Sequence, residues 1–178
     1  MDLSNIDWSD TEFTTPPGSS VTSPLVEYPD SEVDLSPPEL QCYTTSPNAR
    51  LPIRGTPGSA GLDLFSTMDI TVPAHSRVRL PTGLKLAMPS DCFGQICDRS
   101  SMAFKKGLHV LGGIIDADYR GEIKVILYNC SNDTQHIRTD DAIAQLIIQR
   151  YVKLNPVYVQ APLSPTIRGE GGFGSTSK

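Results

Sequence analysis

The first 49 residues contain no lysine and no arginine, yet they carry nine Asp or Glu. The remaining residues hold all 15 basic residues and 11 acidic ones. A tail of charge −9 therefore precedes a core of charge +4, and the net −5 of the 178-residue chain hides a core suited to an anionic ligand. Histidine is scarce, with three residues, and the four cysteines (Cys42, Cys92, Cys97, Cys130) form no C-x-x-C pair, which excludes the common zinc frameworks. No basic segment followed by an apolar stretch opens the sequence, so secretion is not expected. No apolar run approaches the ~18 residues of a membrane span. The cysteines are expected to be reduced thiols in an intracellular protein, nuclear or cytoplasmic. The glycosylation-type triplets at Asn129 and Asn132 then carry no meaning.

The length suits one domain. Residues 1–39 are rich in Asp, Glu, Ser, Thr and Pro, and cannot bury enough apolar surface to offset their ordering entropy. They are expected to be a disordered tail, either a plain solubilising segment or one that recruits a protein partner. Thr15-Pro16, Ser23-Pro24 and Ser36-Pro37 are candidate proline-directed phosphorylation sites. From Leu40 the texture changes to short strand-like runs separated by Pro and Gly. They cover Gly61–Phe65, Met68–Val72, Arg77–Leu80, Gly83–Met88, Cys92–Asp98, Ala142–Tyr151 and Val157–Gln160. Pro73, Pro81, Pro89, Pro156 and Pro162 fall between these runs or at their edges. One short helix is predicted near Ser100 to Lys106. Many strands and almost no helix predict an all-β antiparallel sandwich or barrel over residues 40–165.

The stretch Gly113 to Asn129 reads as a β-hairpin. Ile123, Val125 and Leu127 share one face, and Lys124, Ile126 and Tyr128 share the other. Its turn carries Asp116, Asp118, Tyr119 and Arg120, either as an ordinary β-turn or as a rigid mount aiming side chains at a ligand. The end of the chain, residues 166–178, is glycine-rich. Gly169, Gly171 and Gly174 match G-x-G-x-x-G, but no strand–turn–helix context supports a dinucleotide fold here. The segment is either a loose terminus or a mobile phosphate-binding arm. In the second case Arg168, Ser175 and Thr176 meet an anion and Phe173 stacks on a base.

Five segments now stand in a recognisable order: Ala60-Gly-Leu-Asp-Leu-Phe-Ser66, Asp98-Arg-Ser-Ser-Met-Ala103, Gly113-Ile-Ile-Asp-Ala-Asp-Tyr-Arg-Gly121, Asp141-Ala-Ile-Ala-Gln-Leu-Ile147 and Arg168-Gly-Glu-Gly-Gly-Phe-Gly-Ser-Thr176. Together they resemble the five motifs of the trimeric dUTP pyrophosphatases (dUTPases), from about residue 40 onward. The resemblance implies a jelly-roll-like all-β fold and a homotrimer with active sites shared among subunits. It implies Mg²⁺-dependent hydrolysis of dUTP to dUMP and pyrophosphate, which limits uracil in DNA and supplies dUMP. It implies no direct contact with nucleic acid and no membrane association.

By the same resemblance, Asp116 activates the water and Tyr119 packs against the deoxyribose. Backbone groups from Val110 to Gly113 read uracil. Arg99, Ser100, Ser101 and Gln145 contact phosphates, and Asp63 meets the metal through water. The arm closes over a site with Phe173 on the base and Arg168, Gly174, Ser175 and Thr176 at the phosphates. Plainer roles stand beside these: a turn residue for Asp63, a structural ion-pair partner of Asp98 or of a neighbouring subunit for Arg99, a backbone partner for Gln145.

The second motif departs from the family's Pro-Arg-Ser-Gly-Leu-Ala. Ser101 replaces a glycine and Asp98 a proline, which predicts weaker triphosphate binding through an added side chain and an added negative charge. Arg-Ser-Ser is also similar to the related dCTP deaminases. That chemistry needs a glutamate on the strand after the turn, and the matching position is Ile126, which has no acid or base to offer. A third reading is a catalytically weak scaffold reused for protein binding.

Overall fold

The alternation seen at Ile123 to Asn129 is the centre of the architecture. In the computed structural model, which describes residues 39–172, this segment is a strand whose Ile123, Val125 and Leu127 are buried while Lys124 is exposed. All but Glu39 of the expected tail lies outside the described residues, as do Phe173, Gly174, Ser175 and Thr176 of the arm. The described residues form ten strands and one helix. In chain order these are β1 (Gln41–Thr44), β2 (Leu62–Phe65), β3 (Ile70–Val72), β4 (Arg77–Ala87), β5 (Cys92–Cys97), α1 (Ser100–Lys106), β6 (Leu108–Leu111), β7 (Ile114–Ile115), β8 (Ile123–Asn129), β9 (Gln135–Ile137) and β10 (Ala142–Arg150).

Two four-stranded antiparallel sheets have the orders β1-β4-β8-β6 and β2-β10-β5-β7, and β3 pairs with β9 in a small ribbon. One continuous core joins them. Leu80, Leu84, Leu108, Val125 and Leu127 come from the first sheet, Leu64, Ile96, Ala144 and Leu146 from the second, and Val72 and Ile137 from the ribbon. These side chains are almost wholly out of water, so truncating one such leucine to alanine costs about 2–5 kcal/mol. The all-β, jelly-roll-like expectation is met, with α1 the only helix among the described residues.

Gly113 to Asn129 is not a hairpin. β7 pairs with β5 in the second sheet, whereas β8 pairs with β4 and β6 in the first. The Asp116–Tyr119 turn is thus a crossing between sheets, and the preceding Gly112–Gly113 step is another. A side chain at Gly113 would run into the Ile96 carbonyl oxygen, while the Gly113 carbonyl accepts from the Ile96 amide at 2.7 Å.

Two predicted runs, Arg77–Leu80 and Gly83–Met88, are one eleven-residue strand that passes through Pro81. Pro81 is therefore inside a strand rather than at an edge. The register shifts between Pro81 and Leu84, and such an irregularity accommodates the missing N–H. Gly83 has φ 66°, and a Cβ there would lie 2.7 Å from that of Ala49. The Thr82 hydroxyl donates to the Ile123 carbonyl at 2.7 Å and fills the gap in the ladder. After the bulge β4 turns to pair with β1. Val157–Gln160, expected as a strand, is exposed and pairs with no strand among the described residues.

Asn129 is fully buried at the end of β8. Its Nδ2 donates to the carbonyls of Val72, Pro73 and Asp133 at 3.0, 3.1 and 2.8 Å. Its Oδ1 accepts from the Ser131 amide and hydroxyl at 3.0 and 2.7 Å. The side chain ties β3, β8 and the approach to β9 together. The glycosylation-type triplet it heads is a structural knot.

Candidate active site

Three adjacent strands of the second sheet, β2, β10 and β5, bring distant residues side by side. Gln145 on β10 is in register with Asp63 on β2 and with Cys97 on β5. Arg99 lies two residues past the end of β5, after Asp98, and its side chain reaches across the same end of the sheet. Its Nε and Nη2 donate to the two carboxylate oxygens of Asp63 at 2.9 and 3.0 Å, and its Nη1 donates to the Ala142 carbonyl at 3.0 Å. Arg99 is thus an ion-pair partner, as its plainer reading has it, but within the chain it pairs with Asp63 and not with Asp98. The two-point geometry fixes the guanidinium plane, which an ammonium could not do.

Gln145 donates from Nε2 to the Asp98 carbonyl at 2.8 Å. Asp63, Arg99, Ser100 and Gln145 line one polar hollow of about 220 Å³, together with Ser59 and Gly61. Its donors and its cation suit phosphate oxygens. Ser101 is exposed on α1 and does not line this hollow. As a residue within a regular helical turn it needs no glycine conformation.

The Asp116–Tyr119 turn lies elsewhere. The Tyr119 amide donates to the Asp116 carbonyl at 3.1 Å and closes the turn. Arg120 braces it from Nη1, donating to the carbonyls of Ala117 and Tyr119 at 2.8 and 3.0 Å. The Tyr119 hydroxyl donates to the Glu122 carbonyl at 3.2 Å, so the ring arches over Gly121. A side chain at Gly121 would collide with that ring. Asp116, Asp118 and Arg120 line a separate hollow of about 470 Å³ with Met88, Tyr151 and Lys153.

Within one chain, then, Asp63, Arg99, Ser100 and Gln145 come together, while Asp116 and Tyr119 do not join them. Val110 and Gly113 flank the crossing from β6 to β7, and the Val110 amide is engaged by the Asp98 carboxylate. Arg168 is exposed, lines neither hollow, and donates from Nε to the Gly171 carbonyl at 2.9 Å.

Two features escape sequence reasoning. Asp98 does not project bare charge toward the phosphate side. Its Oδ1 accepts from the Val110 amide and its Oδ2 lies 2.8 Å from His109 Nδ1. A carboxylate only accepts, so the His109 ring carries its proton on Nδ1. The second feature is Cys97 beside this cluster, where burial, and then the charge of Asp98, push the thiol up from its ordinary value, which keeps it protonated near neutrality.

Among the described residues no group of three or more His, Cys, Asp or Glu gathers to hold a metal ion. One carboxylate, Asp63, faces the phosphate-suited hollow, and each of its oxygens accepts from Arg99 while retaining a free lone pair. This donor set fits an Mg²⁺ that keeps most of its waters and is held chiefly by a ligand's phosphates.

With this geometry described, comparisons with known proteins can be placed on it. The dUTPase family model matches residues 47–177. The chain is 43% identical over 161 residues to the deoxyuridine 5'-triphosphate nucleotidohydrolase of Fowl adenovirus A serotype 1, covering 90% of this chain and 87% of that one. It is 44% identical over 144 residues to the protein of the same name from Arabidopsis thaliana, covering 80% and 86%. Among solved structures it is similar to the dUTPase of Staphylococcus bacteriophage 80alpha with dUPNHPP, with TM-score 0.74 and 25% identity over 79% of this chain and 99% of that one. Ile126, where a deaminase needs its glutamate, is a half-buried aliphatic on β8 opposite Arg79. The match spans both hollows and all five segments, and the chain belongs to the dUTPase family.

Proposed function

We propose that this chain hydrolyses dUTP to dUMP and pyrophosphate. The observation that carries the reading is the polar hollow of Arg99, Ser100 and Gln145, built where the β5–α1 junction meets β10 in a member of this family. In this reading the Arg99 guanidinium, its plane oriented by Asp63, and the Ser100 hydroxyl bind phosphate oxygens. Gln145, anchored on the Asp98 carbonyl, fixes the floor of the hollow. Asp116 accepts a proton from water as the water oxygen bonds to the α-phosphorus. The bond from that phosphorus to its bridging oxygen breaks, and pyrophosphate leaves. The Tyr119 ring packs on the sugar face, where a 2′-hydroxyl would clash, and the segment from Val110 to Gly113 reads the base. Asp63 would hold an Mg²⁺ through its water shell, and that ion would supply neutralisation of phosphate charge.

The two hollows of one chain are separate, which supports a site completed between subunits of a homotrimer. One subunit supplies Asp116 and Tyr119 and another supplies Arg99, Ser100 and Gln145. Residues 166–178 form an arm that closes on the bound nucleotide, excluding water through Phe173 and adding Arg168, Gly174, Ser175 and Thr176 at the phosphates.

The test is pyrophosphate release from dUTP, dTTP, dCTP and UTP, each with Mg²⁺ and with a chelator. Rapid release from dUTP alone, lost on chelation, is the expected result. A folded protein that releases pyrophosphate from none of them overturns the proposal.

A further inference from the structure

The irregular stretch of β4 and the Tyr119 ring meet at one residue, Glu122. Between the pairs Pro81–Lys124 and Leu84–Ile123 the ladder skips Thr82 and Gly83, and both are buried. The Thr82 hydroxyl answers one open position by donating to the Ile123 carbonyl. The Gly83 amide answers the other by donating to Glu122 Oε1 at 3.0 Å. Glu122 Oε2 lies 3.4 Å from Lys124 Nζ, so the two oxygens have separate partners. The backbone carbonyl of the same residue accepts from the Tyr119 hydroxyl at 3.2 Å. Glu122 therefore holds the bulge with its side chain and the ring with its main chain.

The bulge is a fixed point. The Gly83 carbonyl accepts from the Thr45 amide at 2.7 Å, and the Pro81 carbonyl accepts from the Thr67 hydroxyl at 3.1 Å. Ala49 and Ser46 press on Gly83 so closely that no side chain fits there. Tyr119, by contrast, is exposed and stands on a turn outside both sheets.

We infer that Glu122 is a positioning residue for sugar selection: its carboxylate ties residue 122 to the β4 bulge, and its carbonyl passes that fixed position on to the Tyr119 ring. The inference rests on the dUTP reading above and deepens it. The bulge, Glu122 and Tyr119 all come from the subunit that supplies Asp116, so the link holds in a site completed by a second subunit. A buried amide left without an acceptor is costly, so loss of the carboxylate makes the bulge rearrange and residue 122 shift with it. A ring packed on the deoxyribose excludes a 2′-hydroxyl only while it stays at contact distance, and a small displacement opens that room.

The experiment compares wild-type protein with Glu122→Ala, Glu122→Gln and Glu122→Asp, and repeats Glu122→Ala in a Tyr119→Phe background. Steady-state kinetics are read on dUTP and UTP, and hydrogen–deuterium exchange is followed over residues 82–84 and 119–122. Glu122→Ala leaves the Gly83 amide without its acceptor. KM for dUTP is expected to rise about three- to tenfold with kcat within about twofold, the scale of one lost hydrogen bond to a carboxylate felt through a single intervening contact. KM for UTP rises less, so the preference for dUTP narrows, and exchange accelerates in both segments. Glu122→Gln keeps Oε1 for the Gly83 amide and is expected to restore selectivity, which a direct action of the charge on the nucleotide would not allow. A general loosening of the fold would lower activity on both nucleotides alike and leave their ratio unchanged. Tyr119→Phe has no hydroxyl to pass the effect on, so adding Glu122→Ala there should change selectivity by less than about twofold.

If Glu122→Ala does not fold, Glu122→Asp takes its place: the shorter side chain draws the acceptor away from the Gly83 amide, and selectivity is expected to narrow while melting temperature stays near wild type. Unchanged selectivity in the Ala and Asp variants, a Gln variant as impaired as Ala, or an undiminished effect in the Tyr119→Phe background overturns the inference. If wild-type protein hydrolyses no nucleotide, the proposed function fails on its own. Glu122 is then judged by exchange alone: faster exchange in both segments of Glu122→Ala upholds the link from bulge to ring, and unchanged protection in either segment overturns it.

Discussion

Arg99 and Asp63 meet in a two-point ion pair, Nε to Oδ1 at 2.9 Å and Nη2 to Oδ2 at 3.0 Å, although 36 residues separate them in sequence. The pair places the cation of the phosphate-suited hollow and the one carboxylate that lines it among the described residues in one rigid unit. Removing either residue therefore disturbs both.

Asp63→Ala frees the guanidinium to swing and removes the carboxylate that would face the metal's water. The expected outcome is a fall in kcat/KM for dUTP of about 10–100-fold, the scale of a partly buried charge-assisted contact. The Mg²⁺ concentration for half-maximal rate rises in parallel. A variant with wild-type metal dependence and rate would remove Asp63 from the site.

Asp116→Asn keeps the shape of the turn, because Tyr119 bonds to the backbone carbonyl of residue 116 and not to its side chain. The amide cannot take up the water's proton. Turnover is expected to drop by about 10²–10⁴, the usual contribution of a general base. Affinity for a non-hydrolysable dUTP analogue, measured by calorimetry, should stay within about threefold, since the change removes a transition-state role alone. Near-normal turnover would assign the base to another group.

Gly121→Ala tests the packing under Tyr119, where an added methyl group collides with the ring. The ring must tilt away from the sugar position. KM for dUTP should rise about tenfold, and the preference for dUTP over UTP should narrow, because small misplacements of a positioning group are costly. Steady-state kinetics on both nucleotides reads the two effects. Unaltered discrimination would take Tyr119 out of sugar recognition.

The separation of the two hollows predicts complementation. The Asp116→Asn and Arg99→Ala proteins should each be inactive alone. Unfolded together in equal amounts and refolded, they should recover about a quarter of wild-type activity, the share of interfaces with both intact halves under random assembly. Recovery near zero would put Asp116 and Arg99 of one site in the same subunit.

Acid stability carries a sign fixed by Asp69. Its Oδ1 accepts from the Thr139 amide and hydroxyl at 2.7 and 2.9 Å, and chiefly the backbone contact lowers its pKa from the ordinary carboxylate value. A depressed folded value means the contribution is present above about pH 4 and is lost as pH falls through the folded pKa. Asp69→Ala should melt a few degrees below wild type near pH 7, with the gap closing below about pH 4. A gap that persists at pH 2 would show that the hydrogen bonds, not the charge, matter there.

Much of this was legible in the residues. The period-two pattern of Ile123 to Tyr128 gives β8 and its buried face directly, because a strand buried on one side leaves that signature. The run from Ser100 to Lys106 gives the helix, which ends at Gly107. Partner choice was not legible. Nothing local in Ile114 and Ile115 states that they join β5 rather than fold back on β8, since pairing across sheets is decided by the core. β1 and β9, of four and three residues, are too short to stand out from loops. At the site, residue types pointed to Arg99, Ser100 and Gln145, but the Asp63 pairing and the Asp98 tether depend on register between strands. Asp98 reads as stray charge in sequence and as a clasp in space.

The knot at Asn129 has a consequence for the chain's chemical ageing. Its carboxamide faces three carbonyl oxygens with one nitrogen and two donors with one oxygen, an arrangement that only the neutral amide satisfies. Deamidation would replace that nitrogen by an oxygen and set a buried negative charge against three acceptors. The damage would fall on the junction of β3, β8 and the β9 approach, so a chain aged at this one atom loses its fold before it loses its catalytic groups.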